Sequence, residues 1–139
     1  MKKYQKYKNT NIEWIGEIPE RWDVISLGLI SKIGSGTTPS SGNPKYYLEG
    51  DVNWLNTGDL KGRVINNTSR KITKEALIDY STLKIYKKGC VAMAMYGATI
   101  GAISILGIDT TVNQACAIME PLNKLDTKYL YYFLMLHFG

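Results

Sequence analysis

Apolar positions along this chain cluster in short runs rather than in long helical stripes. The longest is Gly89–Ile108, twenty positions without a charge, interrupted by Gly89, Gly97, Gly101 and Gly107. About twenty uncharged residues is also the length that crosses a bilayer as a helix. The texture argues against it: each interior glycine costs a helix about 1 kcal/mol relative to alanine. The run reads instead as two buried strands, Cys90–Met95 and Ala102–Leu106, joined by the turn Tyr96–Gly101. Tyr96 and Thr99 are the members of that turn polar enough to reach outward.

Other segments follow the same logic. Asp51–Asn56 alternates polar with apolar at strand period, and Thr57–Gly62 is a turn; Trp54 and Leu55 fall on opposite faces, so one of them is available to a partner. Thr73 is a candidate N-cap for a helix from Lys74 to about Tyr80, and Ser81–Lys88 reads as a short strand and turn. Thr110–Met119 reads as one buried strand closed by Glu120-Pro121. From Asp126, a second N-cap, apolar residues recur at helical spacing to Phe138. Toward the N-terminus, residues 1–11 are basic and polar without periodicity, an arm or an extended strap. Trp14 and Trp22 flank a Gly and a Pro in a segment expected to be irregular and pinned by aromatic burial. Val24–Ile33 suggests a strand and a helical turn feeding the loop Gly34–Pro44. The result is one β-rich α+β domain over 1–139 that ends in a helix.

At 139 residues one core is expected. Cys90 and Cys116 lie in apolar contexts without metal-ligand spacing and read as buried free thiols of a cytoplasmic protein. Net charge is +5, with ten basic against seven acidic residues over 1–70 and seven against five over 71–139. No tail concentrates it, and a mildly basic domain suits a polyanion.

Catalysis has little to work with. His137 is the only histidine, so triad and multi-histidine zinc chemistry is excluded and no metal or cofactor is expected. Asn43-Pro44-Lys45-Tyr46 is similar to the Asn-Pro-Pro-aromatic string of amino-methyltransferases, but Lys45 replaces the second proline. Gly34-Ser35-Gly36 lacks the third glycine of a nucleotide loop. Binding residues are easier to nominate. Lys45, Tyr46, Lys61, Arg63, Arg70 and Lys71 are candidates for phosphate contact and positioning, and Ser35, Thr37, Thr38, Asn66, Asn67 and Thr68 for reading base edges. The Ser35–Ser41 loop reads either as a flexible element entering a DNA groove or as a disordered surface loop. Asn113-Gln114, inside an apolar run, reads as structural.

Taken in order, Trp14-Ile15-Gly16-Glu17-Ile18-Pro19-Glu20-Arg21-Trp22, Gly36-Thr37-Thr38-Pro39, Trp54-Leu55-Asn56-Thr57-Gly58-Asp59-Leu60, Lys88-Gly89-Cys90-Val91, Tyr96-Gly97-Ala98-Thr99-Ile100-Gly101, Asn113-Gln114 and Tyr129-Leu130-Tyr131-Tyr132-Phe133-Leu134 resemble the first target recognition domain of type I restriction-modification specificity subunits. The resemblance implies a double β-helix-like body followed by helices, and a non-catalytic subunit that reads one half of a split double-stranded DNA target. It implies as partners methyltransferase (M) subunits, which supply the S-adenosylmethionine site and flipped-base pocket, and through them restriction/translocase (R) subunits. Family members continue past the Tyr-Leu helix into a proline-rich segment and a spacer helix, so this chain is expected to be an N-terminal part. Two other classes remain open at this stage: a piece of a fused methyltransferase-specificity polypeptide, and a β-rich protein-interaction module without a DNA role.

Overall fold

The structure, a computed structural model, describes residues 3–139. In chain order its elements are β1 (Tyr7–Asn9), β2 (Glu17–Pro19), α1 (Leu27–Ile30), β3 (Ser31–Gly34), β4 (Val52–Leu55), β5 (Val64–Ile65), β6 (Arg70–Ile72), α2 (Lys74–Asp79), β7 (Val91–Ala94), β8 (Ile103–Leu106), β9 (Thr111–Val112), β10 (Cys116–Pro121) and α3 (Thr127–Phe138), with 3-10 turns at Pro44–Tyr46 and Thr57–Asp59.

Two larger sheets carry the fold. The first has strand order β3-β10-β7-β8-β5 and the second β6-β4-β9. Pairing is antiparallel except where β5 joins β8 and β9 joins β4, both parallel. From β3 onward the chain passes repeatedly between the two sheets: β4, β6 and β9 lie in the second and their neighbours in sequence in the first. The crossings bring strands of both sheets to a shared core, with successive residues of a strand on opposite faces.

That alternation is visible residue by residue. Leu55 and Val112 of the second sheet meet Ala92, Ala94, Leu106, Cys116 and Ile118 of the first in one apolar cluster. On the outer side of the first sheet Val91, Ile103, Ile105 and Met119 pack against Leu130, Tyr131 and Leu134 of α3. On the outer side of the second, Trp54 and Ile72 pack with Ala76 of α2 and with Leu83. Both thiols are free and buried, Cys90 and Cys116; burial pushes them up to about 11 and about 12.

The uncharged run forms β7 and β8 as an antiparallel pair, Val91 opposite Ile105 and Met93 opposite Ile103. Gly97 and Gly101 adopt φ of 90° and 82° in the connecting turn, a region closed to most side chains. No helix among the described residues is long and apolar enough to cross a membrane.

Several expectations are corrected. Thr110–Met119 is two strands in different sheets, split by a turn at Asn113–Ala115: the Asn113 side chain accepts from Ala115 N (3.1 Å) and donates to Asn56 Oδ1 (3.2 Å). β10 then continues through Pro121. Ser81–Lys88 contributes a single bridge, Tyr86 to Thr110, rather than a strand. Within Val24–Ile33 the helical turn α1 precedes β3, and Val24 and Ile25 are exposed. Tyr7–Asn9 is a strand paired with Glu17–Pro19, a strap rather than a free arm; Met1 and Lys2 of that segment lie outside the described residues. Trp14 and Trp22 are at least half exposed and make aromatic edge contacts, Trp14 with His137 of α3 and Trp22 with Tyr4. Trp54 and Leu55 are both buried, so neither offers itself to a partner. Thr99 does not reach outward: its hydroxyl oxygen is buried without a hydrogen-bond partner among the described residues.

Candidate nucleic-acid interface

The polar loop between β3 and β4 is fixed at successive points along its length. Ser35 Oγ donates to the Cys116 carbonyl (2.8 Å), and Tyr86 OH donates to the Ser35 carbonyl (2.7 Å). A Cβ added at Gly36 would run into the Val112 carbonyl, so only glycine lets the loop lie this close to β9. Next, the Thr37 carbonyl accepts from the indole N–H of buried Trp54 (3.2 Å), and Thr38 Oγ1 lies 2.6 Å from Gln114 Oε1. Pro39 is fully buried, and its carbonyl accepts from Tyr47 OH. Ser40 N donates to Tyr80 OH (2.9 Å). The segment is therefore neither a disordered loop nor a flexible one. Thr38 and Ser40 stay exposed on it, and Gln114 is exposed beside Thr38.

Asn43 then caps the 3-10 turn Pro44–Tyr46 by accepting from Lys45 N. Thr73 has the extended backbone of an N-cap, but its hydroxyl makes no cap bond. It donates to the Lys45 carbonyl instead (2.7 Å), and its N–H to the Tyr46 carbonyl (2.9 Å), strapping the turn to the start of α2. Asp79, the last residue of α2, accepts on one oxygen from Lys45 Nζ (2.7 Å) and Tyr46 OH (3.0 Å). Those two hydrogen bonds hold the Asp79 carboxyl below its ordinary value, and the bond to Asp79 in turn raises both Lys45 and Tyr46.

Arg70, opposite Trp54 on β6, lays its guanidinium 5.0 Å from the Trp54 ring and 5.1 Å from the Tyr47 ring. Thr37, Tyr46 and Arg70 are thus brought to Trp54 of β4, with Lys45 next to Tyr46 in the chain, whereas Ser35 is held by Cys116 and Thr38 by Gln114. Lys71, the next residue on β6 and opposite Asn53, faces the other way and is exposed. Lys61 and Arg63 go elsewhere, to the start of β5 at the edge of the first sheet, where Arg63 donates to Tyr132 OH of α3 (3.0 Å). Asn66 and Asn67 are exposed in the link from the first sheet to the second. Thr68, in the same link, is 5% exposed and donates to the Arg70 carbonyl (2.8 Å), so its hydroxyl serves the turn and has no access to a base edge.

Asp79 and Gln114 join the site although neither was nominated from sequence. The signal for Asp79 was present, since Glu75 and Asp79 stand four apart on one face of α2. Gln114 was masked by the apolar residues around it. Its neighbour Asn113 is structural, as the sequence suggests.

The arrangement offers donors and cations on a rigid polar face, and among the described residues no cluster of His, Cys, Asp and Glu could hold a metal. The chain is 33% identical over 130 residues to the type I restriction enzyme MjaIX specificity subunit of Methanocaldococcus jannaschii and 23% identical over 129 residues to the EcoR124I/EcoR124II specificity subunit of Escherichia coli. Each alignment covers 91% of this chain and 29% of the relative, so the chain spans less than a third of their length. Among solved structures, the HsdS subunit of Thermoanaerobacter tengcongensis superposes with a TM-score of 0.67 over 92% of this chain and 30% of that one, at 17% identity, which establishes a shared fold. Residues 19–138 match the family described as Type I restriction modification DNA specificity domain, and the chain belongs to that family.

Proposed function

We propose that this chain reads double-stranded DNA as the recognition part of a type I restriction-modification specificity subunit, taking one half of a bipartite target. In this reading it carries no chemistry of its own. Methyl transfer and DNA cleavage belong to the M subunits, and to the R subunits that join through them, in the cytoplasm. The observation that carries the reading is the pinned Ser35–Tyr47 segment, which holds exposed Thr38, Ser40 and Lys45 beside Gln114 on a scaffold that cannot shift by a residue without breaking its bonds to Trp54, Cys116 and Tyr86. Base reading needs such fixed polar groups, whereas cations position the duplex through phosphates. The names of the relatives support the same assignment.

Of the nominated cations, Lys61 and Lys71 are exposed, and neither makes an ion pair with a described residue, which leaves both available to phosphates. Fluorescence anisotropy with duplex oligonucleotides over stepped salt tests the reading. Each lost phosphate contact lowers the slope of log affinity against log salt by about 0.9, so Lys61→Ala with Lys71→Ala is expected to flatten it by up to about 1.8. Absence of duplex binding by the chain at about 50 mM salt would overturn the assignment.

A further inference from the structure

Lys45 is the basic residue of the recognition segment, yet its charge is already spent on Asp79. We propose that Asp79 is a built-in counter-ion that occupies, in the free protein, the place a DNA phosphate oxygen takes on binding, so that Lys45 and Tyr46 are released to the backbone only when a duplex displaces the carboxylate. This rests on the DNA-reading assignment above and adds its control.

The geometry carries the inference. One carboxylate oxygen accepts both the Lys45 ammonium at 2.7 Å and the Tyr46 hydroxyl at 3.0 Å, the convergent pair of donors that would clasp a phosphate oxygen. Both donors ride on the 3-10 turn near the end of the pinned segment, and the turn is held by Asn43 and Thr73 independently of Asp79. Loss of the carboxylate therefore leaves the donors in place. Asp79 ends α2, where the helix dipole disfavours a negative charge, so the helix itself gives no reason for an acid there. Glu75 adds a weaker attraction on Lys45 from one turn earlier, and Arg70, stacked on Tyr47 and Trp54, is not a partner of the pair. The ammonium and the carboxylate are solvent-accessible, with side-chain exposures of 51% and 35%, so a phosphate can reach them.

The test is a cycle of Asp79→Asn, Lys45→Met and the double variant, each assayed for duplex DNA affinity from about 50 to 200 mM salt. Asp79→Asn is expected to steepen the salt slope by about 0.9 and to raise affinity at the low-salt end, the gain shrinking about threefold to fourfold across that range. Lys45→Met alone is expected to change the slope little, because in the wild type the cation released by the phosphate is offset by one that the freed Asp79 carboxylate takes up; in the Asp79→Asn background it is expected to remove the whole gain. A purely structural carboxylate would show the opposite, weaker binding by Asp79→Asn with no steeper slope, and that result overturns the proposal. So does a gain that survives Lys45→Met. Thermal unfolding of each variant identifies any loss due to folding, and in that case Asp79→Ser, which also removes the charge, must steepen the slope by the same amount. Wild-type chain that binds no duplex at all sinks the functional assignment; wild-type binding with an unchanged Asp79→Asn slope sinks the counter-ion alone.

Discussion

Arg70 shows how a residue chosen for its charge can serve through its shape. Its planar guanidinium lies over the rings of Trp54 and Tyr47, 5.0 and 5.1 Å from their centroids, on the outer side of the second sheet. Such contacts contribute about 0.5–2 kcal/mol, more as water is excluded. Arg70→Ala is expected to lower unfolding stability by about 1–2 kcal/mol in urea titrations, and Arg70→Lys to recover little of it because an ammonium cannot lie flat on a ring. Full stability in Arg70→Ala would mean that the stack contributes nothing. Thr99 poses the reverse case. Its buried hydroxyl forgoes water without gaining a bond among the described residues, so Thr99→Val, nearly the same shape without the oxygen, is expected to stabilise the fold by about 1 kcal/mol in the same assay. A destabilised Thr99→Val would reveal a partner for that oxygen. Neither role could be read from sequence: Arg70 was legible as a cation but not as a ring cover, and Thr99 as polar but not as inward.

At the scale of elements, strands proved easier to read than the connections between them. β7, β8 and β4 follow from apolar patterning, and α2 and α3 from cap and periodicity, with Asp126 accepting from Tyr129 N as an N-cap should. The Thr110–Met119 segment misled because buried residues flank Asn113-Gln114 on both sides while the backbone changes sheets at Asn113; the bend is made by side-chain bonds to Asn56 and Ala115, which pattern does not encode. The Ser35–Tyr47 segment was legible as polar and rich in Ser and Thr, but its anchors, Cys116, Val112, Trp54 and Tyr86, are distant in sequence. Gly36→Ala tests that anchoring: a methyl group against the Val112 carbonyl must push the segment off β9, at a cost of about 1–3 kcal/mol and with loss of DNA affinity beyond what the stability change explains. In β8, Ile103→Asp places an unpaired charge beneath α3 and is expected to abolish the cooperative thermal transition; a soluble, native-like product would reopen the assignment of that run to the core.

For the molecule as a whole, two sheets share one core, with α2 outside the second and α3 outside the first. Both thiols sit in the shared layer, and burial raises them above the ordinary 9.0, so at pH 8 they are protonated and shielded. Alkylation by iodoacetamide at that pH is expected to be slow in the folded chain and fast in denaturant; rapid labelling without denaturant would contradict the packing of the two sheets. The sign of the linkage follows from the same shift. Above about pH 9 the unfolded chain loses its thiol protons before the folded one does, so stability is retained below that pH and falls as pH rises toward the folded values of about 11 and about 12.

Sequence by itself determined the kind of chain this is. The glycine-broken apolar run pointed to a β-rich domain, because periodicity and turn chemistry are local properties, and the ordered motifs from Trp14 to Leu134 resemble the specificity-domain family to which the chain belongs. Tertiary structure decided which polar residues stand free. Lys45 and Tyr46 meet Asp79, Arg70 meets two rings, and Thr68 turns inward, while Lys61, Lys71, Thr38 and Gln114 remain exposed. Those pairings join residues from two to thirty-four positions apart, and they depend on how the chain crosses between its sheets, which no local pattern records.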